Sequence, residues 1–168
     1  LVSTYCVAVC PDQHLHPTDQ VAFAKRLGPL RWTPGEVENT DWPDILQFTN
    51  EGKEAHRTGV FHTDTCLIAE PPSCTMLSCL EAPDHGGDTL FSNQYLAYEQ
   101  LSDRWKALLD DARVLHAPSG VANPDEVPDP VWHPAVRVHP VTGRRALYTT
   151  IPVRNVAIEG MTQAESDL

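Results

Sequence analysis

Residues 131–150 read VWHPAVRVHPVTGRRALYTT. Within this stretch, Ala135–His139 and Ala146–Thr150 flank the turn Pro140-Val-Thr-Gly143-Arg-Arg145. Two short β-prone runs around a glycine-bearing turn predict a β-hairpin. Just upstream, residues 118–134 carry Pro118, Pro124, Pro128, Pro130 and Pro134. Proline lacks the amide donor that helices and central strands need, so a loop is expected there, with a lid as one use for it.

Further strands are predicted at residues 4–10 (TYCVAVC), at Ile45–Thr49, at residues 74–80 (CTMLSCL) and at Thr89–Phe91. A helix should open at His16-Pro17-Thr18-Asp19, with Pro17 at its first position, and stop at Gly28-Pro29. Ser92 and Ser102 are placed to cap two more helices, running to about Leu101 and about Leu115. Thr162 and Glu165 have capping-box spacing. Short strands mixed with a few helices point to an α+β chain, mainly β, with a sandwich or barrel core and helices outside.

With 168 residues and 41% hydrophobic content, the chain can bury a core as a single domain over 1–168. Twelve basic and 23 acidic residues give a formal net charge of −11, which argues against a nucleic-acid partner. No apolar run is long enough for a membrane helix. The five cysteines, Cys6, Cys10, Cys66, Cys74 and Cys79, form no C-x-x-C pair; buried, reduced thiols in a cytoplasmic protein are expected. The chain has no initiator Met and ends one turn into a predicted helix, so an incomplete domain is expected.

His62-Thr63-Asp64 places an imidazole and a carboxylate two residues apart. On a strand, residues i and i+2 share a face, so both could reach one metal ion. Two histidines and one carboxylate on one side of iron leave positions open for a co-substrate and oxygen. A lone His-X-Asp also arises as a surface histidine beside an aspartate.

The surroundings of the pair add to it. Thr65-Cys-Leu, Pro71-Pro72, and the turn Pro83-x-x-Gly86-Gly87-Asp88-Thr89 follow in order, with Thr89 lying 27 residues after His62. Farther on come Ala97-Tyr98-x-x-Leu101, His133-Pro-x-Val-Arg-x-His139-Pro-x-Thr-Gly-Arg144, Ala146-Leu-Tyr148 and Glu165-Ser166. This arrangement resembles the taurine dioxygenase-like family, which includes 2,4-dichlorophenoxyacetate dioxygenases, of Fe(II)/2-oxoglutarate-dependent oxygenases.

The resemblance implies a double-stranded β-helix (a cupin-like jelly roll) with flanking helices, incomplete in this chain. It implies Fe(II), 2-oxoglutarate and O2 as cofactor and co-substrates. His62 and Asp64 would be two iron ligands, and Thr89 would bind a 2-oxoglutarate carboxylate. Thr65 would line the substrate pocket. The third ligand, a histidine, and an arginine for 2-oxoglutarate would lie beyond residue 168. The reaction would be hydroxylation of a C–H bond in a small organic substrate, or a desaturation variant, with release of succinate and CO2. Asp64 favours these over halogenation, in which a small residue replaces the carboxylate. A homo-oligomer fits the resemblance. The competing readings are a cupin-like metal hydrolase or isomerase, and an inactive binding homologue.

Other histidines and arginines are read as structural or solvated. His133 is expected in a loop, His139 at the hairpin turn and His116 at a helix end. His14, His16, His56 and His85 fall in polar or turn segments. Arg137, Arg144 and Arg145 sit around a hairpin turn, where they face solvent more often than they hold a carboxylate. His56 and Arg57, just before the His-X-Asp segment, could reach the substrate.

Overall fold

The computed structural model describes residues 1–32, 41–48, 59–118, 129–151 and 155–167. Helices α1 (Val2–Tyr5) and α2 (Pro17–Leu27) come first. Helices α3 (Gln94–Glu99) and α4 (Asp103–Leu109) follow, then strands β1 (Arg113–His116), β2 (Val131–Pro134), β3 (Val136–Val138), β4 (Arg145–Leu147) and β5 (Asn155–Ile158), and last α5 (Gln163–Ser166). Three strands make an antiparallel sheet in the order β2-β1-β5, and β3-β4 form a separate antiparallel pair. The α+β class stands. Among the described residues helix exceeds strand, so "mainly β" does not, and these strands do not close a double-stranded β-helix.

The hairpin forms as expected, with Val136 opposite Leu147 and Val138 opposite Arg145. Its turn has a specific lock. The amides of Val141 and Thr142 donate to His139 Nδ1 at 3.1 and 3.3 Å, and Gly143 takes φ +68°. His139 is therefore a turn-closing residue, as its position implied. The α2 helix also matches its signals. His16 caps it, its ring accepting from the Thr18 amide, and lies edge-on to Trp42 at 5.3 Å rather than simply in solvent. The capping box of α5 is present: the Thr162 amide donates to Glu165 Oε2 at 2.8 Å.

Several expectations are corrected. Of residues 4–10, Thr4 and Tyr5 end the short helix α1, Cys6 caps it with φ +67°, and residues 7–10 are neither helix nor strand. Residues 45–48, 74–80 and 89–91 are likewise not strands; Thr49 lies outside the described residues. β-propensity reports a preference for a pleated surface, and a strand exists only with a partner ladder. None pairs with these segments among the described residues.

The helix expected to reach Leu115 stops at Leu109, and β1 begins at Arg113. Val114 and His116 are buried while Arg113 is exposed, the two-residue alternation of a half-buried strand. His116 therefore sits on a strand, not at a helix end. The proline-rich span is also only partly a loop. Val131–Pro134 pair with β1, Pro134 falling at the strand's end, while residues 119–128, the body of the supposed lid, lie outside the described residues.

The core gathers where the sheet meets the turn at residues 65–67. Cys66 and His116 are fully buried, and Ala135, Leu67, Val114 and His133 nearly so. The rings of His116, His133 and Tyr148 form a triangle with centroids 5.1, 5.7 and 5.3 Å apart. Of the five cysteines only Cys66 is buried; Cys10, Cys74 and Cys79 are exposed, Cys6 is intermediate, and no disulfide joins any of them. Polar contacts tie α3 to the hairpin. Tyr98 Oη donates to Asp110 Oδ1 at 2.7 Å and accepts from Arg145 Nη1 at 3.0 Å, and Arg145 also pairs with Asp110. Arg144 pairs with Glu99 at 2.8 Å and lies over the Tyr95 ring. Arg144 and Arg145 thus hold carboxylates of their own chain, whereas Arg137, though exposed, covers the Tyr148 ring at 4.6 Å. No helix among the described residues is long and apolar enough to cross a membrane.

Candidate metal centre

His62 and Asp64 do come together, but not on a strand. Residues 61–63 belong to no helix or strand and lead into a turn at 64–67, where Thr65 takes φ +50°. A non-glycine residue in the left-handed region is uncommon and is held there by its surroundings. His62 Nε2 lies 3.0 Å from Asp64 Oδ1, at the start of that turn. The two side chains are 32% and 49% exposed, so the facing atoms can be approached from outside.

The outer atoms of both side chains are engaged. His62 Nδ1 lies 3.1 Å from the Val60 carbonyl, which can only accept, so Nδ1 carries a hydrogen. Thr75 Oγ1 donates to Asp64 Oδ2 at 3.0 Å. In a neutral imidazole so oriented, Nε2 bears a lone pair. That lone pair faces carboxylate oxygen, an arrangement that a cation held between the two would satisfy. Divalent first-row ions hold imidazole nitrogen and carboxylate oxygen at about 2.0–2.2 Å, and donors at right angles on that radius are about 3.0 Å apart. The donor set and its spacing therefore fit adjacent ligands of one metal ion. The supports at Val60 and Thr75 are the kind of outer contact that orients ligating side chains.

Among the described residues no group of three or more His, Cys, Asp or Glu side chains could hold a metal, so this pair is two donors and no more. His133 lies in β2, buried, its Nε2 3.0 Å from the Ile68 carbonyl; it is not in a loop. Burial lowers its pKa, against the upward pull of the Ile68 and Cys66 backbone. Burial lowers that of His116 to about 4, with the charge of His133 adding to the effect.

Thr65 is buried at 9% exposure. Thr89 is exposed and in no helix or strand, shortly after Gly86 and Gly87, which take φ +77° and +75°. No hydrogen bond joins Thr89 to His62 or Asp64 among the described residues. His56 and Arg57 lie outside the described residues, while His14 and His85 are exposed, as their segments implied. Sequence reasoning missed Thr75, which stands in a run read only as a strand. It also missed the tether from His133, whose place in a proline-rich stretch hid its strand.

Comparison with known proteins defines the class. A solved structure described as a taurine dioxygenase from Burkholderia xenovorans matches with a TM-score of 0.65 and 32% identity, over 93% of this chain and 53% of that one. The chain belongs to the family described as taurine catabolism dioxygenase TauD, TfdA, whose family model matches residues 1–168. Among curated relatives, the Pseudomonas putida alpha-ketoglutarate-dependent sulfate ester dioxygenase is 31% identical, over 91% of this chain and 55% of its own length. The Saccharomyces cerevisiae alpha-ketoglutarate-dependent sulfonate dioxygenase is 31% identical, over 75% of this chain. The chain spans only 32% of the yeast protein's length and about half of the other two.

Proposed function

We propose that this chain supplies part of the active site of an Fe(II)- and 2-oxoglutarate-dependent dioxygenase. The observation that carries the reading is the His62–Asp64 pair, its inner atoms 3.0 Å apart and its outer atoms held by Val60 and Thr75. Family membership supports the reading.

In this reading His62 offers Nε2 and Asp64 offers Oδ1 to iron(II), and a histidine beyond residue 168 completes the ligand set. An arginine, also beyond residue 168, and the Thr89 hydroxyl bind the carboxylates of 2-oxoglutarate. Thr65 borders the substrate pocket. When bound, iron supplies the oxidative chemistry, in which 2-oxoglutarate and O2 yield succinate and CO2 while a substrate C–H bond is hydroxylated. The contribution of this chain is geometric. The Val60 contact fixes the imidazole tautomer, and Thr75 leaves one carboxylate oxygen free. Cys66 and Leu67, two and three residues after Asp64, are buried and fix the chain that follows the pair in the core. The sheet and hairpin would be parts of a jelly-roll core in a single oxygenase domain.

The substrate is a small organic molecule. The relatives' names direct the choice of panel toward sulfonates and sulfate esters. The test is succinate formation by the full-length chain with iron(II), oxygen, 2-oxoglutarate and that panel. Succinate should appear in step with substrate loss and fall at least a hundredfold in His62→Ala. Equal turnover by His62→Ala and the parent would overturn the proposal.

A further inference from the structure

The His62–Asp64 pair depends on a segment that no strand ladder holds. Hydrogen bonds at both ends anchor it instead, and the Cys66 backbone between them is also bonded to His133. At its start, Thr63 Oγ1 donates to the Thr149 carbonyl at 2.9 Å, and the Thr63 amide lies 3.4 Å from Thr150 Oγ1. At its end, four residues past Asp64, the Ile68 carbonyl meets His133 Nε2 at 3.0 Å. Between the anchors Thr65, Cys66 and Leu67 are buried, with exposures of 9%, 0% and 2%.

We infer that His133 is a positioning residue for the metal pair, acting through the Ile68 carbonyl on the turn that aims Asp64. This rests on the reading of His62 and Asp64 as iron ligands. The anchor is rigid for three reasons. His133 belongs to β2, where it is paired with Val114 of the central strand β1. Its ring meets His116 and Tyr148 at near right angles, with interplanar angles of 80° and 81°. It is 5% exposed, so water does not compete readily for the carbonyl. A carbonyl accepts only, so Nε2 must carry the hydrogen. Ligands must be held within about 0.5 Å of their working geometry to bind a metal well. Releasing Ile68 frees the strained turn at Thr65 and lets Asp64 drift from His62.

The test measures Co(II) affinity of the full-length protein by the ion's visible absorption, without turnover. His133→Leu should weaken binding by about ten- to a hundredfold, the usual cost of losing an outer-shell contact. His133→Gln, whose amide can reach the Nε2 position, should stay within about threefold of the parent. If the leucine variant does not fold, His133→Asn serves, because its amide is too short to reach Ile68. Val114→Ala removes core packing beside His133 without touching the tether, and should leave affinity within about threefold.

His133→Leu or His133→Asn binding as tightly as the parent would overturn the inference. So would Val114→Ala binding as weakly as they do, since loss of packing alone would then suffice. His62→Ala separates the two levels. If it binds Co(II) as the parent does, the metal-site reading fails and the inference with it. If it abolishes binding while the His133 variants bind normally, only the positioning role fails.

Discussion

His116→Phe should flatten the acid side of the stability curve. His116 is fully buried, neither ring nitrogen meets a hydrogen-bond partner among the described residues, and its neighbours include a second imidazole. Burial, with His133 adding to it, lowers its pKa from 6.5 to about 4. The unfolded chain therefore takes up a proton near pH 6.5 that the folded chain refuses until about pH 4. Stability is complete above the unfolded value and is lost as pH falls through this window, because the unfolded state binds more protons there. One pKa unit corresponds to about 1.4 kcal/mol, so linkage gives a loss of about 2 kcal/mol between pH 6.5 and 4.5 from His116 alone. Phenylalanine keeps a ring between His133 and Tyr148 and does not titrate. The assay is urea unfolding of metal-free protein, followed by tryptophan fluorescence, at half-unit steps of pH. Absolute stability can shift through repacking, so the slope is the readout. Asp110 and Glu165, held below their usual values by hydrogen bonds, act at the lower end of the pH range, while His133, also lowered by burial, leaves part of the slope in the variant. A variant as acid-sensitive as the parent would refute the reasoning.

Three other predictions follow from contacts described above. Thr75→Val removes the donor to Asp64 Oδ2 and should weaken metal binding about ten- to a hundredfold by equilibrium dialysis, with little loss of stability. Tyr98→Phe breaks hydrogen bonds to Asp110 and from Arg145; these are partly exposed, so a loss of about 1 kcal/mol in urea unfolding is expected. Gly87→Ala should raise the KM for 2-oxoglutarate, because φ is +75° and the new methyl would lie 3.1 Å from Pro83 Cγ, displacing the turn that leads to Thr89. An unchanged KM would detach that turn from co-substrate binding.

Features set by a few neighbouring residues were legible in the sequence. Pro17 and Gly28 bound α2, Thr162 and Glu165 make their capping box, and Gly143 turns the hairpin. The closeness of His62 and Asp64 was legible too, although their segment is not a strand. What depends on distant partners was not legible. Residues 4–10 and 74–80 have strand composition without a ladder to join. Arg113–His116 looked like the tail of a helix until pairing with Val131–Pro134 made it the central strand. The same pairing lifts His133 out of a supposed loop and points it at Ile68, 65 positions away in sequence. Thr75 carries no local signal, since a threonine in a β-prone run is ordinary.

The central claim is the proposal that His62 and Asp64 are ligands of one iron ion. Anomalous diffraction at the iron edge, from anaerobic crystals of the full-length protein with iron(II) and 2-oxoglutarate, tests it most directly. The account predicts one peak about 2.0–2.2 Å from both His62 Nε2 and Asp64 Oδ1. A peak elsewhere, or well-ordered crystals with His62 and Asp64 in direct contact and no iron between them, would contradict it.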